Sequence, residues 1–230
     1  PSPRLSSVLE MNMKEGNKEE WHGEGGIGLI SSRFTIEGPL KKNKSSALLS
    51  GRRTYADLFL RPILKALDEN NQGYYFYDFN AKVNYDFGRK NKLYLSGYFG
   101  KDKFYLKNRS EGYRETVGFL WGNATATLRW NHLFSSRIFS NASAVYSKYR
   151  FGISERYIVE DEGKDYYAEY NSGIRDLTLK YDIDFIPSPK HWIKAGVVTI
   201  FHRFNPHAFV EVDVPHNIDI HKVSYAYGTE

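Results

Sequence analysis

Two groups of side chains are of the types that hold metal ions. His202, His207, His216 and His221 crowd the C-terminal part of the chain, and imidazole is a common ligand of transition metals. Their spacings match no compact metal motif, so no metal is assigned to them. The run Glu160-Asp161-Glu162-Gly163-Lys164-Asp165 offers carboxylate oxygens of the kind calcium takes, but not the regular loading of a calcium loop. It reads as a solvated loop tip. Ser, His and Asp all occur, without a nucleophile elbow, a phosphate-cradling glycine loop or a zinc-protease signature, so the chain reads as a non-enzyme without a cofactor.

A third set of polar residues recurs at every second position. Asp78, Asn80, Lys82 and Asn84 alternate with Tyr75, Tyr77, Phe79, Ala81, Val83, Tyr85 and Phe87. Asn123, Thr125, Thr127 and Arg129 alternate with Gly122, Ala124, Ala126, Leu128 and Trp130. Asp176, Thr178, Lys180 and Asp182 alternate with Leu177, Leu179, Tyr181, Ile183 and Phe185. A period of two belongs to a strand with one face in oil and the other in water. The segments Ile138 to Tyr149 and Trp192 to Phe204 are also β-rich, but their faces are mixed, and the Arg52-Arg53 pair has no assigned side. One helical turn is expected, around Pro62 to Leu67.

Composition narrows the class. Of 230 residues, 41% are hydrophobic, yet no stretch approaches the run of about twenty apolar residues a membrane helix needs, so a helical membrane protein is excluded. A membrane barrel is not, because alternation hides its apolar half. Eighteen Tyr and fifteen Phe suit strands and barrel girdles. The net charge of +5 is spread along the chain, which gives no nucleic-acid signal. The absence of Cys is uninformative about compartment. The opening Pro1-Ser2-Pro3-Arg4 has no charged and then apolar leader. The glycosylation-like triplets at Asn43, Asn108, Asn123 and Asn141 are read as chance matches, two of them inside expected strands.

The links between strands add direction. Tight polar links at Pro39 to Ser45, Gly88 to Lys92, Phe134 to Arg137 and Pro187 to Lys190 alternate with links expected to be longer, near Pro62 to Gly73, Lys107 to Arg114 and Glu160 to Lys164. Short turns on one side and long loops on the other are the pattern of an up-and-down transmembrane β-barrel, whereas a Greek-key sandwich has no reason to sort its links. The expected fold is therefore all-β and antiparallel, an incomplete barrel forming an open curved sheet.

The stretch Arg4-Leu5-Ser6-Ser7-Val8-Leu9-Glu10-Met11-Asn12-Met13-Lys14-Glu15-Gly16-Asn17 resembles the last plug strand and exit linker of TonB-dependent outer-membrane receptors. Glu20-Trp21-His22-Gly23 with Gly25 to Leu40 resembles that family's first barrel hairpin, and Ser46 to Tyr55 its third strand. Where the family commonly has glycines before the Arg-Leu-Ser-Ser stretch, this chain has Ser2-Pro3. The resemblance implies the end of a plug domain and its linker at 1–17, and the N-terminal part of the barrel at 18–230. It implies about nine barrel strands from near Glu19 to near Pro206, with the tip at Leu29 to Ser32 as a short first outward loop. It also implies a fragment, without the energy-coupling box before it or a terminal aromatic after it.

On that template the polar alternating residues face the lumen and hold the plug. The candidates for ligand contact are Asp78, Asn80, Lys82, Asn123, Thr125, Arg129, Asp176, Thr178 and Lys180, while Tyr75, Phe79, Leu177 and Leu179 face lipid. The implied setting is the cell outer membrane. The implied partners are its lipid, a TonB-type energy-coupling protein acting through the segment upstream, and, for some cargoes, a surface lipoprotein. The cargo class stays open among siderophore, cobalamin, glycan and peptide. Two other readings stay open as well, a plug-less porin or adhesin barrel and a soluble extracellular carbohydrate-binding β protein. The isolated chain, with two bare sheet edges, is expected to aggregate in water. Light scattering checks this, and a monodisperse detergent-free sample at high concentration would favour the soluble reading.

Overall fold

Period-two alternation becomes strand along nearly the whole chain. The computed structural model describes residues 13–55, 58, 62, 66, 71–213 and 218–229, with the backbone alone at 71, 206–213 and 218–225. The strands are β1 His22–Ile27, β2 Ser31–Lys41, β3 Ser45–Thr54, β4 Asn71–Asp86 and β5 Asn91–Ser110, followed by β6 Tyr113–Ser135, β7 Ile138–Val159, β8 Lys164–Ser188, β9 His191–Asp213 and β10 Ile218–Thr229. They form one ten-stranded sheet in sequence order, each antiparallel to the next. This is an incomplete β-barrel: an up-and-down sheet with two open edges and no second layer among the described residues.

Register fixes the faces, because residues directly opposite one another in neighbouring strands lie on the same side. Phe79 stands opposite Phe99, which stands opposite Ala124, while Tyr146 stands opposite Leu177 and Leu177 opposite Phe201. This apolar face is bare: Phe99 is 45% exposed and Leu179 47%. On β8 it runs from Phe185 to Leu177, about 27 Å along the strand at ~3.3 Å per residue. Aromatics border it, with Tyr85, Phe87, Trp130 and Phe134 towards the short turns and Tyr75, Tyr77 and Phe201 towards the far end.

The segments whose faces the sequence left mixed are now assigned. Ala142, Ala144 and Tyr146 lie on the apolar face, with Ser143, Val145 and Ser147 behind them. In β9, Ile193, Val197 and Phe201 share the apolar face, and Trp192, Lys194 and His202 lie opposite. The Arg52-Arg53 pair divides between the faces. Arg52 bonds Asp78 at 2.8 Å on the polar side, while the Arg53 guanidinium lies 5.9 Å from the Tyr75 ring on the other.

Three expectations change. Among the described residues ten strands are present rather than nine, because β9 continues through Pro206 and β10 pairs with it. The ladder accommodates Pro206, which has no amide proton, at an irregularity where Asn171 faces Ala208 but Gly173 faces Asn205. The link Lys107 to Arg114 is not a long loop: β5 reaches Ser110, and a two-residue turn at Glu111 and Gly112 (φ 74°) leads into β6. The link Glu160 to Lys164 is likewise a short turn. Beyond the apolar band the contrast between the faces is lost, with Phe104, Phe119 and Ile153 continuing the face of Asp78 and Asn123, and Lys103 and Asn171 on the other, so the polar-in, apolar-out alternation disappears from the sequence although the backbone ladder continues. The expected helical turn at Pro62 to Leu67 lies outside the described residues except for Pro62 and Ala66, which are helical.

The projecting ends of β7 and β8 are tied by charge. Arg156 bonds Asp165, and this holds the Asp165 carboxyl below the usual carboxylate range. Tyr167 and Asn171 donate to Glu169 at 2.7 and 2.6 Å and hold it low in the same way. Burial, reinforced by Glu169, pushes Tyr167 up to about 12. A lowered carboxylate contributes its stability above the unfolded pKa and loses it as pH falls through the native one. Amide protection at 154–158 and 165–169 is therefore expected to fall between neutral pH and about pH 3. Asp165→Asn should flatten that dependence, and hydrogen-exchange protection factors corrected for intrinsic rate check it.

Candidate functional site

The polar face is a wall rather than a cleft, and every ligand-contact candidate stands on it. Asn80, Thr125 and Asp176 belong to one cross-strand row, Asn80 opposite Tyr98, Tyr98 opposite Thr125, Thr125 opposite Ser147 and Ser147 opposite Asp176. Asp78 and Asn123 flank Gly100 in the next row. Thr178 lies opposite Val145 and Ile200. Lys180 bonds Asp182 at 3.1 Å. These residues share a face but do not converge on a pocket.

Where the wall meets the N-terminal segment, the contacts become dense. Residues 13–18 run over the polar face of β2, β3 and β4 close to their short turns. The buried Lys82 ammonium donates to the Met13 carbonyl at 2.8 Å, Lys14 pairs with Glu37 at 2.6 Å, and Lys18 pairs with Asp86 at 2.7 Å. The Asn43 amide donates to the Lys18 carbonyl at 2.9 Å. Gly16 is required here, since a Cβ would sit 2.4 Å from the Ala47 carbonyl oxygen and displace the segment. Asn17 then accepts from the Glu19 and Glu20 amides, turning the chain towards β1.

The result inverts the usual distribution of burial. Beneath or beside this segment Glu37, Ser46, Lys82 and Asn84 are buried, with Asn84 donating to the Ser46 hydroxyl at 2.6 Å, while Leu and Phe on the opposite face are bare. Tyr94 is sandwiched between two cations, Lys82 at 5.6 Å and Arg129 at 4.5 Å from its ring, and Glu15 lies in electrostatic range of Tyr94 and Lys82. Thus, of the expected candidates, Lys82 holds the segment and Arg129 lies over the Tyr94 ring. Glu37 and Tyr94 were missed. Register places both on the wall, Glu37 and Lys82 each opposite Leu48, and Tyr94 opposite Asn84.

Elsewhere on the wall, carboxylates take donors from neighbouring strands. Asp78 takes Arg52, whose guanidinium also lies 4.8 Å over Phe76. Asp176 meets His202 Nδ1 at 2.8 Å, and Asp184 accepts from Trp192 at 2.8 Å. His202 is therefore engaged with a carboxylate. The side chains of His207 and His221, and His216 altogether, lie outside the described residues. The acidic run lies at a turn where Glu160 pairs with Arg114 at 2.6 Å and Glu162 with Lys164. Among the described residues no three or more His, Asp or Glu are placed to share a metal ion.

Replacing Lys82 with Met removes the donor to the Met13 carbonyl, a bond to a charged group of about 1.5–3 kcal/mol. Trypsin cleavage after Lys14 and Lys18 in the folded protein is then expected to speed up about tenfold or more, measured by mass spectrometry of timed digests. Thr178→Val, on the wall but away from the segment, should leave the cleavage rate unchanged.

No protein-family profile matches the chain, and no curated protein matches it. Among solved structures the chain is similar to the ferric yersiniabactin uptake receptor FyuA from Yersinia pestis, with a TM-score of 0.58 and 8% identity over 91% of this chain. The match covers 37% of the receptor, so the chain spans little more than a third of that protein's length. At this identity the likeness speaks to fold: the ten strands take the form of part of a receptor barrel.

Proposed function

We propose that this chain is part of a TonB-dependent outer-membrane receptor that imports a scarce nutrient, with residues 13–17 ending a plug domain and the ten strands beginning its barrel. The observation that carries this is the inversion of burial. An N-terminal segment is bonded to the polar face by Lys14, Lys18 and Lys82, while an apolar face bordered by aromatics has no protein cover among the described residues. Monomeric soluble proteins rarely expose so large an apolar patch, whereas hydrocarbon solvates it. A sugar-binding β protein in water would need that face buried. The likeness in fold to the uptake receptor supports the same reading.

In such a receptor the wall binds the plug through contacts that can be exchanged for water. A pull from the inner membrane would loosen the plug and open a hydrated path along rows such as Asn80, Thr125 and Asp176. Cargo recognition belongs to the wall and to parts outside this chain. Its class remains among siderophore, cobalamin, glycan and peptide.

Two measurements test the proposal. The intact protein should fractionate with outer membranes, and Leu179→Arg should destabilise it by about 2–4 kcal/mol in chemical unfolding from lipid vesicles, with Thr178→Arg nearly neutral. Cells depending on it should lose uptake when the inner-membrane proton gradient is collapsed. Recovery in a soluble fraction would overturn the membrane reading. Cargo uptake insensitive to the gradient would leave a barrel but overturn energy coupling.

A further inference from the structure

Above the apolar band the contrast between the two faces reverses. In line with Phe76 across the wall stand Asp102, Trp121 and Phe151, and the next row holds Tyr74, Phe104, Phe119, Ile153 and Tyr170. At that height the other face carries Lys101, Lys103 and Arg150. Aromatic rings thus point inward where charge points outward, and none of the rings in these two rows is buried. The Phe104 and Phe119 rings lie 6.0 Å apart across the strands. From β4 to β8 the surface spans four strand spacings, roughly 19 Å. Apolar surface turned towards a water-filled lumen stays unfavourable until something covers it.

The lower border of this surface is a tyrosine laid flat along its strand. Gly100 is buried, and the outer half of the Tyr98 ring lies over it, so that a Cβ there would fall 2.8 Å from the ring's Cζ. The other side of the ring is left towards the lumen. Hydrogen-bond acceptors edge the rings. Asp102 accepts from the Tyr74 hydroxyl at 2.8 Å, Asp78 from Arg52 at 2.8 Å and, higher up, Glu115 from Asn108 at 2.9 Å. From the row of Asp78 to that of Glu115, no Lys or Arg occupies a lumen-side position on β4 to β8. An anionic cargo finds no cation on these strands, and carboxylates already engaged draw a cationic one only weakly. What the rows offer is aromatic surface edged with acceptors.

We propose that these rows are the landing site of an uncharged oligosaccharide, stacked on Tyr98, Trp121 and Phe151 with its hydroxyls on Asp102 and Asn123. A pyranose presents apolar C–H on its faces and hydroxyls round its edge, the complement of rings bordered by carboxylate and amide oxygens. A wholly apolar ligand would cover the rings but leave those oxygens without donors, which costs affinity. The width of the surface suits an extended chain of sugars rather than a single one. The inference rests on the receptor reading of the previous section and narrows its cargo class to glycans.

The test uses the intact receptor in nonionic detergent, titrated calorimetrically with uncharged hexasaccharides of glucose, mannose, galactose and xylose. At least one is expected to bind saturably, with an affinity that salt does not change. Tyr98→Ala with Trp121→Ala should lower that affinity about tenfold or more. Lys103→Gln, beside Asp102 in sequence but on the other face, should bind as the wild type does. Heat-shifted electrophoretic mobility reports folding, and Phe151→Leu, which keeps apolar volume but removes a ring, replaces the double variant if that one does not fold. A folded wild type that binds none of the four sugars would overturn the proposal, as would ring variants that bind as well as the wild type. A ferric tris-catecholate or an oligolysine that binds instead, with the same dependence on the rings, would overturn it in favour of a charged cargo. Faster trypsin cleavage after Lys14 and Lys18 in the ring variants, without loss of sugar binding, would assign the rings to the plug and also overturn it. Recovery of the wild type in a soluble fraction would instead overturn the receptor reading beneath it.

Discussion

All ten strands stand side by side with no second layer among the described residues, so each obtains its backbone hydrogen bonds from the strands beside it. In water that arrangement leaves one face without a core. Closed into a ring, it is one of the two arrangements that satisfy every amide in hydrocarbon, and it ties side-chain chemistry to residue parity. From that tie follow the bare Leu and Phe on one face, the Asp, Asn and Thr rows on the other, and the aromatic borders between. A one-residue slip at any hairpin would send every following polar residue into the apolar band. The backbone irregularities at Pro39/Lys41, Leu133/Ser135 and Phe185/Ser188 all fall beside short turns, where a slip in count leaves the spanning register intact.

The polar wall works by matching rather than by enclosure. Its ion pairs are partly exposed, so each contributes little alone, roughly 0–1 kcal/mol. The exception is the patch under residues 13–18, where Lys82 and Glu37 are removed from water and paired with chain that lies across the sheet. Weak contacts over most of the surface and strong ones at one end make the wall grip the N-terminal segment while the rest of its polar face is held only loosely.

Much of this was legible in the sequence wherever one face met oil and the other water. Tyr75 to Phe87, Gly122 to Asn131 and Asp176 to Phe185 were read strand by strand with their faces, and the structure keeps them. Legibility failed where the contrast between faces fails. Lys107 to Ser110 and Glu160 to Asp165 are polar on both sides, so strand ends and turns looked like long loops. The resemblance placed the end of the ninth strand near Pro206, yet an irregular register carries the ladder past that residue. On the wall, the nine named candidates were found by parity. Their partners were not, because which residue Lys82 or Asp78 bonds depends on cross-strand register, and register is a property of two segments rather than one.

Strand length gives the wall a further property. The strands grow from 6 residues in β1 and 10 in β3 to 20 in β5 and 25 in β8. With the short turns level, the excess of β8 over a span of about ten residues projects roughly 50 Å along the strand, or some 35 Å in height at a 45° tilt. The rim of this part of the barrel is a ramp, low at β1 to β3 and high at β6 to β9. Its high side acts as a parapet, so the wall is screened by backbone on that side and open to approach over the low one.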